Sequence, residues 1–179
     1  NDIDRKCYAL SNSGIIDIGK DLSIIMNASN VFTENDRDNS SYDVYSAIVS
    51  DNAIRVGGDT NIKLSRGVGV PHIVCIDKGE AVFAGNVNIK VDGEKTKYSG
   101  GVGGFLGLNV GGYYKDEIDY AVTKINGSLN LELNNFLIGS VGLPKVIYIS
   151  EKGQLDVSGD IGVVVSPADV DNKPHNGYI

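Results

Sequence analysis

The stretch Lys78–Val91, KGEAVFAGNVNIKV, decides how this chain is read, because it returns as KGQLDVSGDIGVVV at Lys152–Val165. Both glycines fall in register, Gly79 with Gly153 and Gly85 with Gly159. In each copy a glycine turn follows a lysine, a short alternating strand runs to the second glycine, and another alternating strand leaves it. Ala81 and Phe83, then Val87, Ile89 and Val91, keep a period of two, the mark of strands with one buried face. Working outward, Asn52–Leu64 (NAIRVGGDTNIKL) aligns with Gly79–Val91 without a gap, Ile54 on Ala81, Val56 on Phe83, Gly58 on Gly85, Ile62 on Ile89 and Leu64 on Val91. In Ile125–Leu133 (INGSLNLEL), Gly127 takes the place of Gly85, and Leu129, Leu131 and Leu133 take the inward places. Ile16–Met26 is the loosest copy. A further apolar strand precedes three of the units, at Ala47–Val49, Ile73–Ile76 and Val146–Ile149, so each unit reads strand, turn, strand, turn, strand.

The connections between units differ in length. Residues 27–45 are rich in Asn, Asp and Ser, and 93–119 form a long glycine-rich insertion; 66–71 and 134–144 are shorter, and 167–179 read as an exit tail or cap. Fixed rungs with variable loops are what stacked repeats produce, since an insertion leaves at a corner without disturbing the neighbouring rung. Gly and β-branched residues dominate, and few apolar positions recur at helical spacing, so no helix is expected. Four- or five-residue strands separated by Gly, Asn or Asp turns cannot close tight hairpins at every corner. Coils of three strands, stacked parallel, satisfy their N–H and C=O groups between rungs. The expected fold is all-β, a right-handed parallel β-helix forming one domain over 1–179. An antiparallel β-sandwich is the alternative, because it shows alternating strands at the same spacing.

With 41% hydrophobic residues among 179, the chain can bury a core. Its net charge of −7 argues against a nucleic-acid partner, which needs concentrated Lys and Arg. No apolar run is long enough for a membrane-spanning helix, and neither end reads as a signal peptide. The chain is therefore expected to be a mature chain or a piece of a larger protein. Two cysteines, Cys7 and Cys75, make no disulfide framework and no CxxC site. Cys75 is expected as a buried thiol, and a Cys7–Cys75 bridge is the pairing open to an exported chain.

The unit G-x-[AL]-x-[VF]-x-G-[ND]-[VI]-x-[IV], with its preceding apolar strand, resembles the coils of secreted bacterial β-helix proteins, the autotransporter passenger domains and two-partner-secretion adhesins. The resemblance covers about two-thirds of the chain: 15–26, 47–64, 73–91, 120–133 and 146–165. It implies a secreted or cell-surface protein acting in adhesion or host interaction, with a host cell-surface protein or glycan, or another bacterial surface, as partner. The solenoid is then a stiff rod, and loops leaving its corners make the contacts. In those loops Tyr42, Tyr45, Tyr98, Tyr113 and Tyr114 are the candidate contact residues, being amphipathic and cheap to order; the plainer role for each is to pack its loop onto the rod. Self-association through exposed end rungs is a further expectation.

Chemical sites are weaker. Asp36, Asp38 and Asp43, with Ser40 between, supply oxygens of the kind calcium takes, but the EF-hand pattern fails at its glycine and final glutamate, so a solvated loop is the better reading. His72 and His175 have no Cys or Glu at ligand spacing, which argues against zinc. Asp77, Asp156 and Asp160, with Lys63 and Lys90, are the residue types of a polysaccharide-cleaving β-helix enzyme or tailspike-like depolymerase, the alternative function. They are spread over different rungs, and Trp is absent. Asp59, Asn86, Ser128 and Asp160 hold equivalent places after each rung and are expected to form a stacked corner ladder. Gly100–Gly104 lacks the GK[ST] ending of a phosphate loop. No catalytic constellation and no cofactor are expected.

Overall fold

Each repeat of the sequence becomes one coil of three strands. The structure is a computed structural model that describes residues 6–27, 44–65, 73–92, 105–111, 120–136 and 145–167. The first coil holds β1 (Lys6–Asn12), β2 (Ile16–Ile18) and β3 (Leu22–Asn27). The second holds β4 (Val44–Ser50), β5 (Ile54–Val56) and β6 (Thr60–Ser65), and the third β7 (Val74–Ile76), β8 (Gly79–Phe83) and β9 (Val87–Asp92). The fourth holds β10 (Phe105–Val110), β11 (Ala121–Ile125) and β12 (Leu129–Phe136); the fifth holds β13 (Lys145–Ile149), β14 (Gly153–Val157) and β15 (Ile161–Pro167). Strands in the same place in successive coils pair in parallel. Sheet A is β1-β4-β7-β10-β13, sheet B is β2-β5-β8-β11-β14 and sheet C is β3-β6-β9-β12-β15. The fold is a right-handed parallel β-helix, and no described residue is helical.

Register places the repeat's apolar positions in columns. Ile18, Val56, Phe83, Ile125 and Val157 stand one above another in sheet B. Ile24, Ile62, Ile89, Leu131 and Val163 do so in sheet C. Phe83 is fully buried at the centre of its column, a burial worth about 1.5–3 kcal/mol relative to exposure. A sandwich would scatter these residues over opposed antiparallel layers, and the parallel register sets that alternative aside.

Two corners explain the glycines. At Gly79 the backbone turns with φ +84, a conformation that L side chains rarely adopt, and a Cβ there would meet the Asn52 backbone at 2.9 Å. Between sheets B and C the turns at Gly58, Gly85, Gly127 and Gly159 lie directly on one another. The Gly85 N–H donates to the Gly58 carbonyl at 3.1 Å, the Gly127 N–H to that of Gly85 at 3.2 Å and the Gly159 N–H to that of Gly127 at 3.0 Å.

The structure adds two strands to the sequence reading and closes one pairing that it left open. The 93–119 insertion is not one loop, because β10 crosses it and supplies the fourth coil's strand of sheet A. Gly104, Gly107 and Gly111 interrupt its apolar pattern and hid it. Strand β1 was likewise missed, because Lys6 and the polar Ser11 and Asn12 blur its alternation. Finally, Cys75 is the buried thiol expected of it and is free, so the Cys7–Cys75 pairing left open is not made. Cys7 stands opposite Tyr45 on β4, whereas Cys75 on β7 stands opposite Val49. The two cysteines therefore lie two strands apart across the sheet and four residues apart along it, beyond the reach of a disulfide.

Candidate functional site

Connection lengths single out one edge of the solenoid. The turns from sheet B to sheet C are 19–21, 57–59, 84–86, 126–128 and 158–160, all the same length. The returns from sheet C to sheet A run through 28–43, 66–73, 93–104 and 137–144, all longer, with two of eight residues, one of twelve and one of sixteen. Since Asn27, Ser65, Asp92 and Phe136 end neighbouring strands of sheet C, all four returns leave from one row. The fourth coil adds one more long connection, 111–120, between sheets A and B. Of the five predicted contact tyrosines, Tyr45 lies in β4; Tyr42, Tyr98, Tyr113 and Tyr114 lie outside the described residues, as do Asp36, Asp38, Ser40, Asp43, His72 and His175.

The outer face of sheet C carries an ordered polar row, and that of sheet B carries ion pairs with Val82 and Val122 between them. On sheet B the Lys124 ammonium donates to Glu80 at 2.8 Å, and Arg55 meets Asp17 at 3.4 Å. The Lys124 hydrogen bond and charge hold the Glu80 carboxyl below its ordinary range, and Glu80 in turn raises the Lys124 ammonium. On sheet C, Asn130 donates its amide to Asn88 and Asn88 to Asn61, each at 2.9 Å, a continuous amide ladder over three coils. Beside it Lys90 donates to Glu132 at 2.7 Å, and this bond, with a second from Asn134, lowers the Glu132 carboxyl. The amide ladder was not anticipated, yet its signal was present: Asn follows the first residue of TNIKL, VNIKV and LNLEL.

The corner ladder forms as expected. The Asp59 N–H donates to the Asp21 carboxylate at 2.9 Å, Asn86 to Asp59 at 2.8 Å, Ser128 to Asn86 at 2.9 Å and Asp160 to Ser128 at 3.1 Å. Each side chain thus caps the turn of the next coil. These residues are occupied by structure rather than chemistry.

Sheet A differs. In its outward row Cys75 and Asn109 are buried and Val49 half-buried, while the outward Arg55, Lys63, Lys90 and Lys124 on the other sheets are exposed. The Cys75 thiol donates to Asp77 at 3.2 Å and receives the Asn109 amide at 3.5 Å. Burial, then the Asp77 carboxylate, push this thiol well up, so it is held as a thiol and not as the nucleophilic thiolate. Burial and Asp77 also raise the Tyr8 phenol. Asp77 therefore belongs to the third coil's turn from sheet A to sheet B, Asp156 to the outer face of sheet B, where it accepts from Gln154 at 2.9 Å, and Asp160 to the fifth coil's turn from sheet B to sheet C. The fold does not bring these three carboxylates together. No cluster of three His, Cys, Asp or Glu suited to a metal occurs among the described residues. Tyr120, unmarked in the sequence reading, is 77% exposed, with the Lys152 ammonium 5.9 Å from its ring centroid.

Fold and surface together define a parallel β-helix with one even corner, one edge of uneven returns and charged or amide-lined flanks. No family model, no curated protein and no solved structure matches this chain.

Proposed function

We infer that this chain is a presentation module of an exported or surface-attached protein, acting in adhesion or host interaction. The β-helix serves as the rod, and the returns from sheet C to sheet A serve as the contacting surface. The observation that carries this reading is the contrast between corners: the 19–21 type of turn keeps one length through five coils, while the returns from sheet C to sheet A run from eight residues to sixteen. A corner whose loops change length without altering the register of the rungs is free to vary for recognition. The polar row of sheet C and the ion pairs of sheet B keep the rest of the rod solvated. The partner class is a host cell-surface protein or glycan, or another bacterial surface.

The test shortens 28–43, or 93–104 with β10 left intact, to a glycine turn. Binding to cultured epithelial cells, immobilised matrix proteins and a glycan array is then compared with the unaltered chain. The reading predicts binding by the unaltered chain and its loss in at least one shortened form, with circular dichroism and melting unchanged. Absence of binding by the unaltered chain to every probe, or equal binding by both shortened forms, would overturn it.

A further inference from the structure

The two ends of the solenoid differ from its middle in a paired way. On the outer face of sheet C the three central coils present only polar residues: Asn61, Lys63 and Ser65, then Asn88, Lys90 and Asp92, then Asn130, Glu132 and Asn134. The row containing Lys63, Lys90 and Glu132 ends in Ile25 on the first coil and Val164 on the fifth. Both are well exposed, Ile25 at 67% and Val164 at 55%. Water-facing apolar residues at both ends of one charged row make sense if the two ends meet.

The rest of the end coils agrees. The inward side of the fifth coil is open, with Ile149, Ile161, Val163 and Val165 each more than 40% exposed. Continuing the observed register by one coil would set Ile161 on Leu22, Val163 on Ile24, Val165 on Met26, Leu155 on Ile16 and Val157 on Ile18 of a second copy. Hydrogen bonding continues in the same sense. Every corner side chain from Asp21 to Ser128 accepts the N–H of the next coil's turn. Among the described residues, the acceptor left at the end of that ladder is the Asp160 carboxylate, and the N–H left at its start is that of Asp21. Likewise Leu22, Thr60, Val87 and Leu129 each donate N–H to the corner carbonyl of the next coil, which leaves the Ile161 N–H to meet the Asp21 carbonyl.

We propose that this chain stacks head to tail, the fifth coil of one copy on the first coil of the next, with Val164 packed against Ile25 and the Asp160 carboxylate capping the Asp21 turn. The contact is heterologous: each copy keeps one free end, so association propagates into filaments rather than closing as a dimer. Two carboxylate pairs oppose it, the first being Asp160 on Asp21, a stacking that Asp59 on Asp21 already makes within the chain. The second is Asp156 on Asp17, in adjacent places on sheet B. Together with the net charge of −7, these pairs make association stronger as salt rises.

Sedimentation velocity over a range of concentrations and salt tests the proposal on the 179-residue chain. Expected are species larger than a monomer that grow with concentration and with salt. Val164→Lys and Ile25→Glu, both at solvent-facing positions, should each weaken association by about tenfold or more while melting stays unchanged. Combining them should restore it, because the new pair copies Lys90–Glu132 in the same row, which meets at 2.7 Å. Asp156→Lys should strengthen association by turning a like-charge pair into an opposite one. A monomer at all concentrations overturns the proposal. So does association indifferent to Val164→Lys, which would place the contact elsewhere.

Discussion

Single residues inside the columns show where this core is well packed and where it is not. Phe83 fills the centre of its column with no exposed surface, between Val56 and Ile125. Truncation to alanine leaves a void that rigid rungs above and below cannot fill, so Phe83→Ala should cost about 3–5 kcal/mol, read from urea denaturation. Thr123 is the opposite case. It points inward between Ala81 and Leu155, fully buried, and its hydroxyl has no hydrogen-bond partner. Valine has the same shape without the unsatisfied group. Thr123→Val should therefore raise stability by about 1 kcal/mol in the same assay, and a loss instead would mean that the hydroxyl is bonded. These two positions also mark the limit of sequence reading at this scale. Phe83 declared itself by its place in the alternating repeat, whereas the burial of Thr123 needed its neighbours in the adjacent coils.

Strands and corners are held by ladders that run along the rod. Asn86 is one link of the corner ladder, accepting the Ser128 N–H while its own N–H goes to Asp59. Asn86→Ala breaks the link and should cost about 1 kcal/mol, while Asn86→Ser should recover most of it, since Ser128 does the same work one coil on. The Glu80–Lys124 pair joins β8 to β11 on the exposed face. With the Glu80 carboxyl lowered in the folded state, the pair's contribution is complete above the ordinary glutamate value and is lost as pH falls through the lowered one. Because the pair is exposed, its effect on stability is small, and the sensitive readout is the titration itself. Carbon-detected NMR should place the Glu80 midpoint below that of an ordinary glutamate, and Lys124→Met should move it back up. An unchanged midpoint would mean the ion pair is not held in solution.

At this scale the sequence was most legible where the repeat is undisturbed. Both strands flanking each of Gly58, Gly85 and Gly159, and the strand after Gly127, could be placed from periodicity and the glycines alone. Strand β10 could not: its FLGLNV sits among glycines whose need is set by the coil beneath, information that periodicity does not carry. The candidate contact tyrosines illustrate a different limit. A tyrosine in a variable return has no register partner in the repeat, so only its residue type speaks for it.

For the whole molecule the claim is that residues far apart in sequence are brought close by counting coils. Asp17 on β2 and Asp156 on β14 are separated by most of the chain, yet they are the two ends of one five-strand row running through Arg55, Val82 and Lys124. Both face outward, and labels there leave the core untouched. The rod, its even corner and its edge of uneven returns all depend on that row being straight and parallel. The direct measurement replaces Asp17 and Asp156 with cysteines, substitutes serine for Cys7 and alanine for Cys75, attaches nitroxides and dilutes the sample with unlabelled chain. Electron–electron distances are then recorded. Four inter-strand steps give about 19 Å between backbones, so one narrow distribution near that value, broadened by the label tethers, is the predicted result. A broad distribution, or one centred well beyond that spacing, would contradict the stacked coils.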